Sequence, residues 1–498
     1  MERFTTILQN VLDISLMLVA LAILVGIVTV VILYVVDVTQ TTQAIRRNYP
    51  VIGRLRYVFE HLGVFFRQYF FAMDREELPF NRAQRSWIAK AAKNLDGTLA
   101  FGSTRPLDKP GDVFFLNAGF PPTTEEVEAH SPTPITYGEG YAREPYQTHS
   151  FFNISAMSYG ALSEPAITAL SMGARDAGIW LNTGEGGLAP HHLSGGCDIV
   201  FQIGTAKYGV RDEQGNLDAD RLRKVADHPQ VKMFEIKLSQ GAKPGKGGIL
   251  PAEKITDVIA TTRGIPKGQD SISPNRHPDI RNSAELLDFI GRVRELTGKP
   301  TGIKFVMGQT DWLDELLAEI NARGMASAPD FMTLDSADGG TGAAPQSLFD
   351  NVGLTVWESL PKLDATLRAA GLRDRIRIVA SGKMVNPSGV AAALCLGADS
   401  VNSARGFMFA LGCIQALQCN QNTCPTGITT HDKKLQRGLN PKLKAVRVAN
   451  FARAIQKEVK LIALSAGVMD AHELGLKHAF VIDANGRPKS LITEHKRG

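Results

Sequence analysis

Three cysteines stand close together late in the chain: Cys413, Cys419 and Cys424, spaced C-x5-C-x4-C, with Pro425-Thr-Gly427 directly after. Thiolates so grouped hold iron–sulfur clusters or zinc. Structural zinc sites favour C-x2-4-C pairs and four ligands. Three thiols with no fourth nearby fit a three-iron cluster better, or a four-iron cluster with one non-cysteine ligand, although four cysteines are the usual count. A redox-active disulfide is the competing reading. Cys197 and Cys395 stand alone and read as packing residues. Five cysteines in 498 residues make no disulfide framework, so the cluster points to metal ligation in a reducing compartment.

Lys304 lies inside an apolar run at 302–306. Such a lysine needs polar surroundings, because stripping an ammonium of water costs several kcal/mol. Beside the N1–C2=O edge of a flavin it would stabilise the negative charge of the reduced ring. A strand-end lysine reaching solvent is the plain alternative. Four further runs are glycine-rich: Thr183-Gly-Glu-Gly-Gly187, Asp335-Ser-Ala-Asp-Gly-Gly-Thr-Gly342, Ser381-Gly-Lys-Met384 and Ala404-Arg-Gly-Phe407. Glycines let backbone N–H groups approach a ligand closely, although each could serve only a tight turn. Four such runs, with Gly382, Gly406 and the charge of Arg405 in the last two, point to a phosphorylated cofactor.

The elements that must position these residues recur between 149 and 402. Strands are expected at 151–156, 179–182, 199–203, 232–237, 302–306, 330–334, 377–380 and 400–402, and helices at 164–177, 284–296, 311–321, 356–369 and 387–396. Eight strands with intervening helices predict a (β/α)8 barrel rather than a doubly wound sheet. All four glycine runs then fall at strand C-termini, where barrels carry their sites, and the last two form the usual phosphate cradle. The stretch 239–280, rich in glycine, proline and lysine, reads as an active-site lid. Residues 125–134 read as an acidic, proline-broken loop, 54–70 as helical, and 441–467 as a helix packed on the outside.

The composition is globular, with 44% hydrophobic and 21% charged residues, and a net charge of +5 gives no basis for nucleic-acid binding. Residues 14–36 form an uncharged apolar run bracketed by Asp13 and Asp37. At about 1.5 Å per residue it spans the hydrocarbon core of roughly 30 Å. It is too long for a signal-peptide core of about 7–15 residues, and a buried helix is the other alternative. Arg46, Arg47, Arg54 and Arg56 follow it, against Arg3 before it, which predicts a single-pass anchor with the catalytic barrel in the cytoplasm. The expected organisation is an anchor at 1–44, a connector at 45–148, the barrel with its cysteine loop at 149–435 and a helical extension at 436–498.

Several runs, in order, carry a family resemblance. They are Met157-Ser-Tyr-Gly-Ala-Leu-Ser163, Asn182-Thr-Gly-Glu-Gly-Gly187, Glu235-Ile-Lys-Leu-Ser-Gln-Gly-Ala-Lys-Pro-Gly245, Ile272-Ser-Pro274, Asp338-Gly-Gly-Thr-Gly-Ala343 and Cys413 through Asn422-Thr-Cys-Pro-Thr-Gly427. This segment resembles the flavin-binding domain of glutamate synthase. Arg46-Arg-Asn-Tyr-Pro50 and Arg67-Gln-Tyr-Phe70 resemble its short, membrane-anchored branch.

The resemblance implies FMN, a [3Fe–4S] cluster on Cys413, Cys419 and Cys424, and reduction of 2-iminoglutarate, from 2-oxoglutarate and ammonia, to L-glutamate. It places Glu185, Gln240 and Lys243 at the substrate, with Lys304 as the fourth catalytic residue. The cofactor contacts expected with it are Ala156, Met157, Ser158, Gln202, Lys304, Gly339, Gly340, Ser381, Gly382, Arg405 and Gly406. The chain opens on Met1-Glu-Arg and the apolar run, so glutamine hydrolysis by an N-terminal amidotransferase cysteine is not expected. Neither the family's C-terminal β-helical domain nor a G-x-G-x-x-G fold for NAD(P)H is seen. Ammonia would come from solution or a separate glutaminase, and electrons from a ferredoxin, a reductase subunit or a membrane donor. Leu188-Ala-Pro-His191 replaces residues that are often acidic in the family, which leaves room for another amino or imino acid substrate, such as an N-alkylated glutamate. An electron-transfer or assembly subunit at the membrane is the third reading, and intact Glu185, Gln240, Lys243 and Lys304 argue against it.

Overall fold

The computed structural model describes residues 2–103 and 105–491. They divide into two compact units, Met1–Ala83 and Gln84–Gly498.

In the first unit, α1 (Glu2–Thr39) has a mean hydropathy of 3.2 over its most apolar stretch. By length and composition it could cross a membrane, and it is the one such helix among the described residues. Its last turn carries the buried Asp37, whose carboxylate accepts from Arg46 Nε (2.9 Å), Arg54 Nε (2.8 Å) and Val51 N (3.0 Å). These bonds fix the start of α2 (Gly53–Phe66) beside the end of α1. The helix expected at 54–70 therefore forms, and it closes in a π-turn, Arg67–Phe71.

The second unit is built on eight parallel strands: β1 (Phe152–Ile154), β2 (Leu181–Asn182), β3 (Ile199–Ile203), β4 (Val231–Lys237), β5 (Thr301–Val306), β6 (Phe331–Asp335), β7 (Arg377–Ser381) and β8 (Ser400–Ser403). They close in sequence order, β8 pairing with β1 and β4 with β5. The expected strands are all present, with ends displaced by a residue or two. Nearly every strand residue is buried, because helices cover the outside and side chains fill the inside.

Helices follow the strands: α3 (Glu164–Ala177), α4 (Ala219–Ala226), α5 (Asp257–Arg263), α6 (Ser283–Thr297), α7 (Asp311–Arg323), α8 (Val356–Ala369), α9 (Pro387–Cys395) and α10 (Arg405–Leu411). Their ends are encoded locally. Ser163 caps α3 through Ala166 N, Pro165 occupies its first turn, and Gly178 ends it at φ 67°. Asn282 and Gly298 do the same for α6.

The chain departs from expectation at 125–134. Thr124–Ala129 is a helix, because Thr123 and Glu126 form a reciprocal capping box: Glu126 N donates to Thr123 Oγ1 (3.3 Å) and Thr123 N to Glu126 Oε2 (2.7 Å). Glu125 and Glu126, read as part of an acidic, proline-broken loop, are first-turn residues of that helix. The stretch 239–280 also has structure: a short hairpin, Ile249–Leu250 with Ser271–Ile272, and α5, capped by Thr256 and Gly264.

The last long helix, α11 (Pro441–Ser465), lies against α3, α9 and α10. Its Phe451 is fully buried, with ring centroids 5.1 Å from Phe407 and 5.8 Å from Phe152. It therefore completes the barrel's outer core. The helices meet at Gly173, where an added Cβ would lie 2.5 Å from Val448 Cβ and 2.6 Å from Ala445 O. Gly173→Ala should lower stability by about 1–3 kcal/mol despite its better helix propensity, since the backbone of α11 has to retreat. Denaturant unfolding measures this, and an unchanged midpoint would contradict the packing.

Candidate active site

The barrel interior is polar at its C-terminal end. Glu235 on β4 is 1% exposed and accepts from Asn182 Nδ2 (2.8 Å), Gln202 Nε2 (2.6 Å) and Thr333 Oγ1. One carboxylate thus joins the side chains of β2, β3 and β6. Lys304 on β5 is 5% exposed, with Nζ 3.3 Å from Asp335 Oδ2. Burial alone would push its amine down, but Asp335 and Glu235 more than offset that and hold it above its ordinary value. Lys304 is therefore a buried cation and does not reach solvent.

Above this layer opens a cavity at the C-terminal ends of the strands. Of the residues expected at a cofactor, Ala156, Gln202, Lys304, Gly340, Ser381, Gly382 and Arg405 line it. Gly382 sits at φ 135°, and a Cβ there would lie 2.2 Å from Ser336 Cβ, so only glycine fits. The other four are not among its lining residues. Met157 offers its carbonyl to His192 Nε2 (2.9 Å), and Ser158 packs against Gly184 and Gly186. Gly339 lies against Asp335 and Gly241, and Gly406 against Ser403 and Phe451. Two lining residues that sequence reasoning passed over, Asn402 and Ser403, carry buried Oδ1 and Oγ atoms with no partner among the described residues. Orphaned polar atoms, a buried cation, Arg405 and a glycine floor fit a phosphorylated planar cofactor.

A second cavity adjoins the first at Gln240, which lines both. Glu185, Lys237, Lys243 and Gly245 to Gly248 form its walls. Lys237, at the end of β4, stands 2.9 Å from Glu185 Oε1 and donates to Gln240 Oε1 (2.5 Å). Burial raises the Glu185 carboxyl, but Lys237, Lys243 and Arg263 outweigh it and leave it below its usual range. Burial, reinforced by repulsion from Lys237, lowers the Lys243 amine. Glu185 reaches this position because its neighbours are glycines: a Cβ on Gly204 would lie 2.6 Å from Glu185 Cβ. Lys237, Glu235 and the buried Arg263 of α5 were missed from sequence. The signal was present for two of them, since both are charges inside an apolar strand, as Lys304 is.

The three clustered cysteines follow α10 in one loop. Gln415, Leu417 and Asn422 take positive φ there, and Thr430 Oγ1 donates to Asn422 O (2.5 Å) to close it. Lys254 Nζ reaches over from the 239–280 excursion to Cys419 O (2.9 Å). Burial pushes the Cys413 thiol up to about 11 and raises Cys419. At Cys424 burial also acts upward, but hydrogen bonds involving Thr426 and Thr429 bring the thiol down to about 7. The three thiols are unpaired and perturb one another. Among the described residues no three His, Cys, Asp or Glu side chains converge on one metal ion. Three thiols carried on one loop are the donor chemistry that an iron–sulfur cluster or zinc takes. Cys197 and Cys395 are buried, their thiols pushed up to about 12, as packing residues.

Fold and site together define the class, a (β/α)8-barrel protein whose site opens at the strand C-termini. Residues 124–469 match the model described as the conserved region in glutamate synthase. The chain therefore belongs to the glutamate synthase family and is an oxidoreductase of that family. The glutamate synthase large subunit-like protein YerD of Bacillus subtilis (strain 168) is 39% identical over 482 residues, 90% of this chain and 91% of the relative. A glutamate synthase large subunit-like protein of Rhizobium meliloti (strain 1021) is 30% identical over 77% of this chain and 87% of its own. The archaeal-type glutamate synthase [NADPH] of Thermotoga maritima is 37% identical over 316 residues. That match covers 63% of this chain and 59% of the Thermotoga protein.

Lys237→Met should destabilise the protein at neutral pH by about 2 kcal/mol, less than for a fully buried pair because Glu185 keeps some solvent contact. A carboxyl depressed in the folded state contributes stability above its unfolded pKa and loses it as pH falls through the folded value. The gap between wild type and variant should therefore narrow on acidification. Urea unfolding at neutral pH and near pH 4 measures it, and a constant gap would remove Glu185 from the account.

Proposed function

We propose that the protein is an FMN- and iron–sulfur-dependent glutamate synthase that reduces 2-iminoglutarate, formed from 2-oxoglutarate and ammonia, to L-glutamate. The observation that carries this is the pair of adjoining cavities. One is lined by Lys304 and Arg405, the other by Glu185, Lys237 and Lys243, and Gln240 borders both. FMN, held in the first cavity by Ser381, Gly382, Asn402, Ser403 and Arg405, would supply hydride transfer to an imine carbon. A [3Fe–4S] cluster on Cys413, Cys419 and Cys424 would supply electrons one at a time.

The chain's own residues account for the rest. Lys304, kept cationic by Asp335 and Glu235, stabilises negative charge at the floor of the first cavity. Lys237 and Lys243 attract a dicarboxylate into the second. Lys237 Nζ, bonded to both Glu185 and Gln240, fixes the two side chains that border the reacting carbon. Reduction of the imine consumes two electrons and two protons. Glu185, with two lysines beside it, is the acceptor and donor through which a proton reaches the nitrogen.

The archaeal-type relatives are named for NADPH, and this chain spans about three-fifths of their length. We infer that electrons arrive from a separate donor, a ferredoxin, a reductase subunit or a membrane carrier. Ammonia would come from solution or a separate glutaminase. Residues 1–44 act as a single-pass anchor, 45–148 as a connector, 149–435 as the catalytic barrel on the cytoplasmic side and 436–498 as a supporting extension.

Anaerobic protein reduced with dithionite should be reoxidised by 2-oxoglutarate with ammonium, with one glutamate formed for every two electrons the protein gives up. Protein without flavin absorption, or reduced protein inert to that mixture, would overturn the reading. Lys243→Ala should raise the KM for 2-oxoglutarate about tenfold, the equivalent of one lost charged contact of roughly 1.4 kcal/mol. Cys419→Ser should abolish the cluster's paramagnetic signal while flavin stays bound. Joint loss of both would mean that the cluster serves the fold and does not relay electrons.

A further inference from the structure

The helix α2 and its closing π-turn carry an apolar face that no other described residue of the Met1–Ala83 unit covers. Leu55, Phe59, Leu62, Phe66 and Phe70 recur at intervals of four and three, and Phe59 and Phe70 are 66% and 75% exposed. At 100° per residue, Leu55 through Phe66 fall within an arc of roughly 60°. Arg56, Glu60 and Arg67 lie together on one flank, about 90–130° from the middle of that arc. A contiguous exposed patch of this kind marks an interaction surface.

Its position says what covers it. Arg54, in the first turn of α2, is bound to Asp37 at 2.7 and 2.8 Å. Asp37 is the residue immediately after the apolar run 14–36 of α1. The start of α2 is therefore held where that run ends, at the level of a bilayer surface. Residues 44–67 carry Arg46, Arg47, Arg54, Arg56 and Arg67 against the single acidic Glu60, an excess that suits anionic headgroups. An apolar aromatic stripe flanked by arginines is the make-up of a helix lying in an interface.

We propose that α2 and the Arg67–Phe71 turn lie in the lipid–water interface of an anionic membrane, with the Leu55–Phe59–Leu62–Phe66–Phe70 stripe in the acyl region. The Asp37–Arg46–Arg54 cluster is the corner that turns the chain from spanning the bilayer to lying on it. This rests on α1 being a membrane span, and the test separates the two.

All four native tryptophans, Trp87, Trp180, Trp312 and Trp357, lie outside residues 1–83, so a tryptophan placed there reports by difference. The full chain is reconstituted in phosphatidylcholine–phosphatidylglycerol vesicles whose acyl chains are brominated either near the carbonyl or near the terminus. Phe66→Trp should be quenched by the shallow bromines at least twofold more than Glu60→Trp, and Leu24→Trp by the deep ones. Quenching at 24 but not at 66 overturns the interfacial helix and leaves the anchor. Quenching at neither overturns both. Equal quenching at 60 and 66 would put the helix inside the bilayer, and a blue-shifted, unquenched 66 would mean that protein covers the face. Either result overturns the proposal.

Discussion

A carboxylate and an ammonium sit inside a closed barrel, and the rest of the site follows from how they are matched. Glu235 and Lys304 would each be costly alone. Pairing β4 with β5 and β5 with β6 sets Lys237 and Thr333 beside Lys304 in the register. Glu235 then takes hydrogen bonds from Asn182, Gln202 and Thr333, and Lys304 takes Asp335. These four partners come from three strands, β2, β3 and β6, so the charges can be satisfied only when the barrel is closed. The same bonds lock Gln202 and Lys304 into place beneath the larger cavity.

The second cavity depends on close approach. A Cβ on Gly241 would lie 1.7 Å from Ser336 O, and one on Gly247 would lie 1.8 Å from Ser273 O. Backbone therefore rests on backbone at both ends of this wall. Gly241 N also donates to Asp335 Oδ2, the carboxylate that pairs with Lys304. The excursion after β4 is thus fastened to the floor of the first cavity. Gln240, next to Gly241, is left between the two cavities for that reason. Lys254 from the same excursion touches the cysteine loop. One segment borders all three parts of the site, which is why 239–280 is folded and ordered around α5.

Much of this was legible in the sequence, for local reasons. Strand ends were readable because parallel strands buried on both faces are short apolar runs. Caps such as Ser163 and Asn282 made the helices readable. Lys304 announced itself by breaking such a run. Glu235 and Lys237 broke one too, and passed unnoticed because they lie inside a longer motif. The helix Thr124–Ala129 was missed because its acidic residues and the proline after it resemble a loop; the Thr123–Glu126 box that makes it a helix is a specific pairing that composition hides. Of the expected cofactor contacts, Met157, Ser158, Gly339 and Gly406 are not among the residues lining the cavity, since belonging to a motif does not say which side of a loop faces inward.

By itself, the sequence determined the barrel, the family, the three clustered thiols and a helix apolar enough to cross a membrane, because each is written in the order and spacing of residues along one stretch of chain. The tertiary structure alone decided that Lys304 is a buried cation, that Lys237 bridges Glu185 and Gln240, and that Asn402 and Ser403 present unpaired oxygens to a cavity. Those facts join residues from strands far apart in the chain, and a charge or an unpaired oxygen acquires its meaning only from the neighbours that folding brings to it.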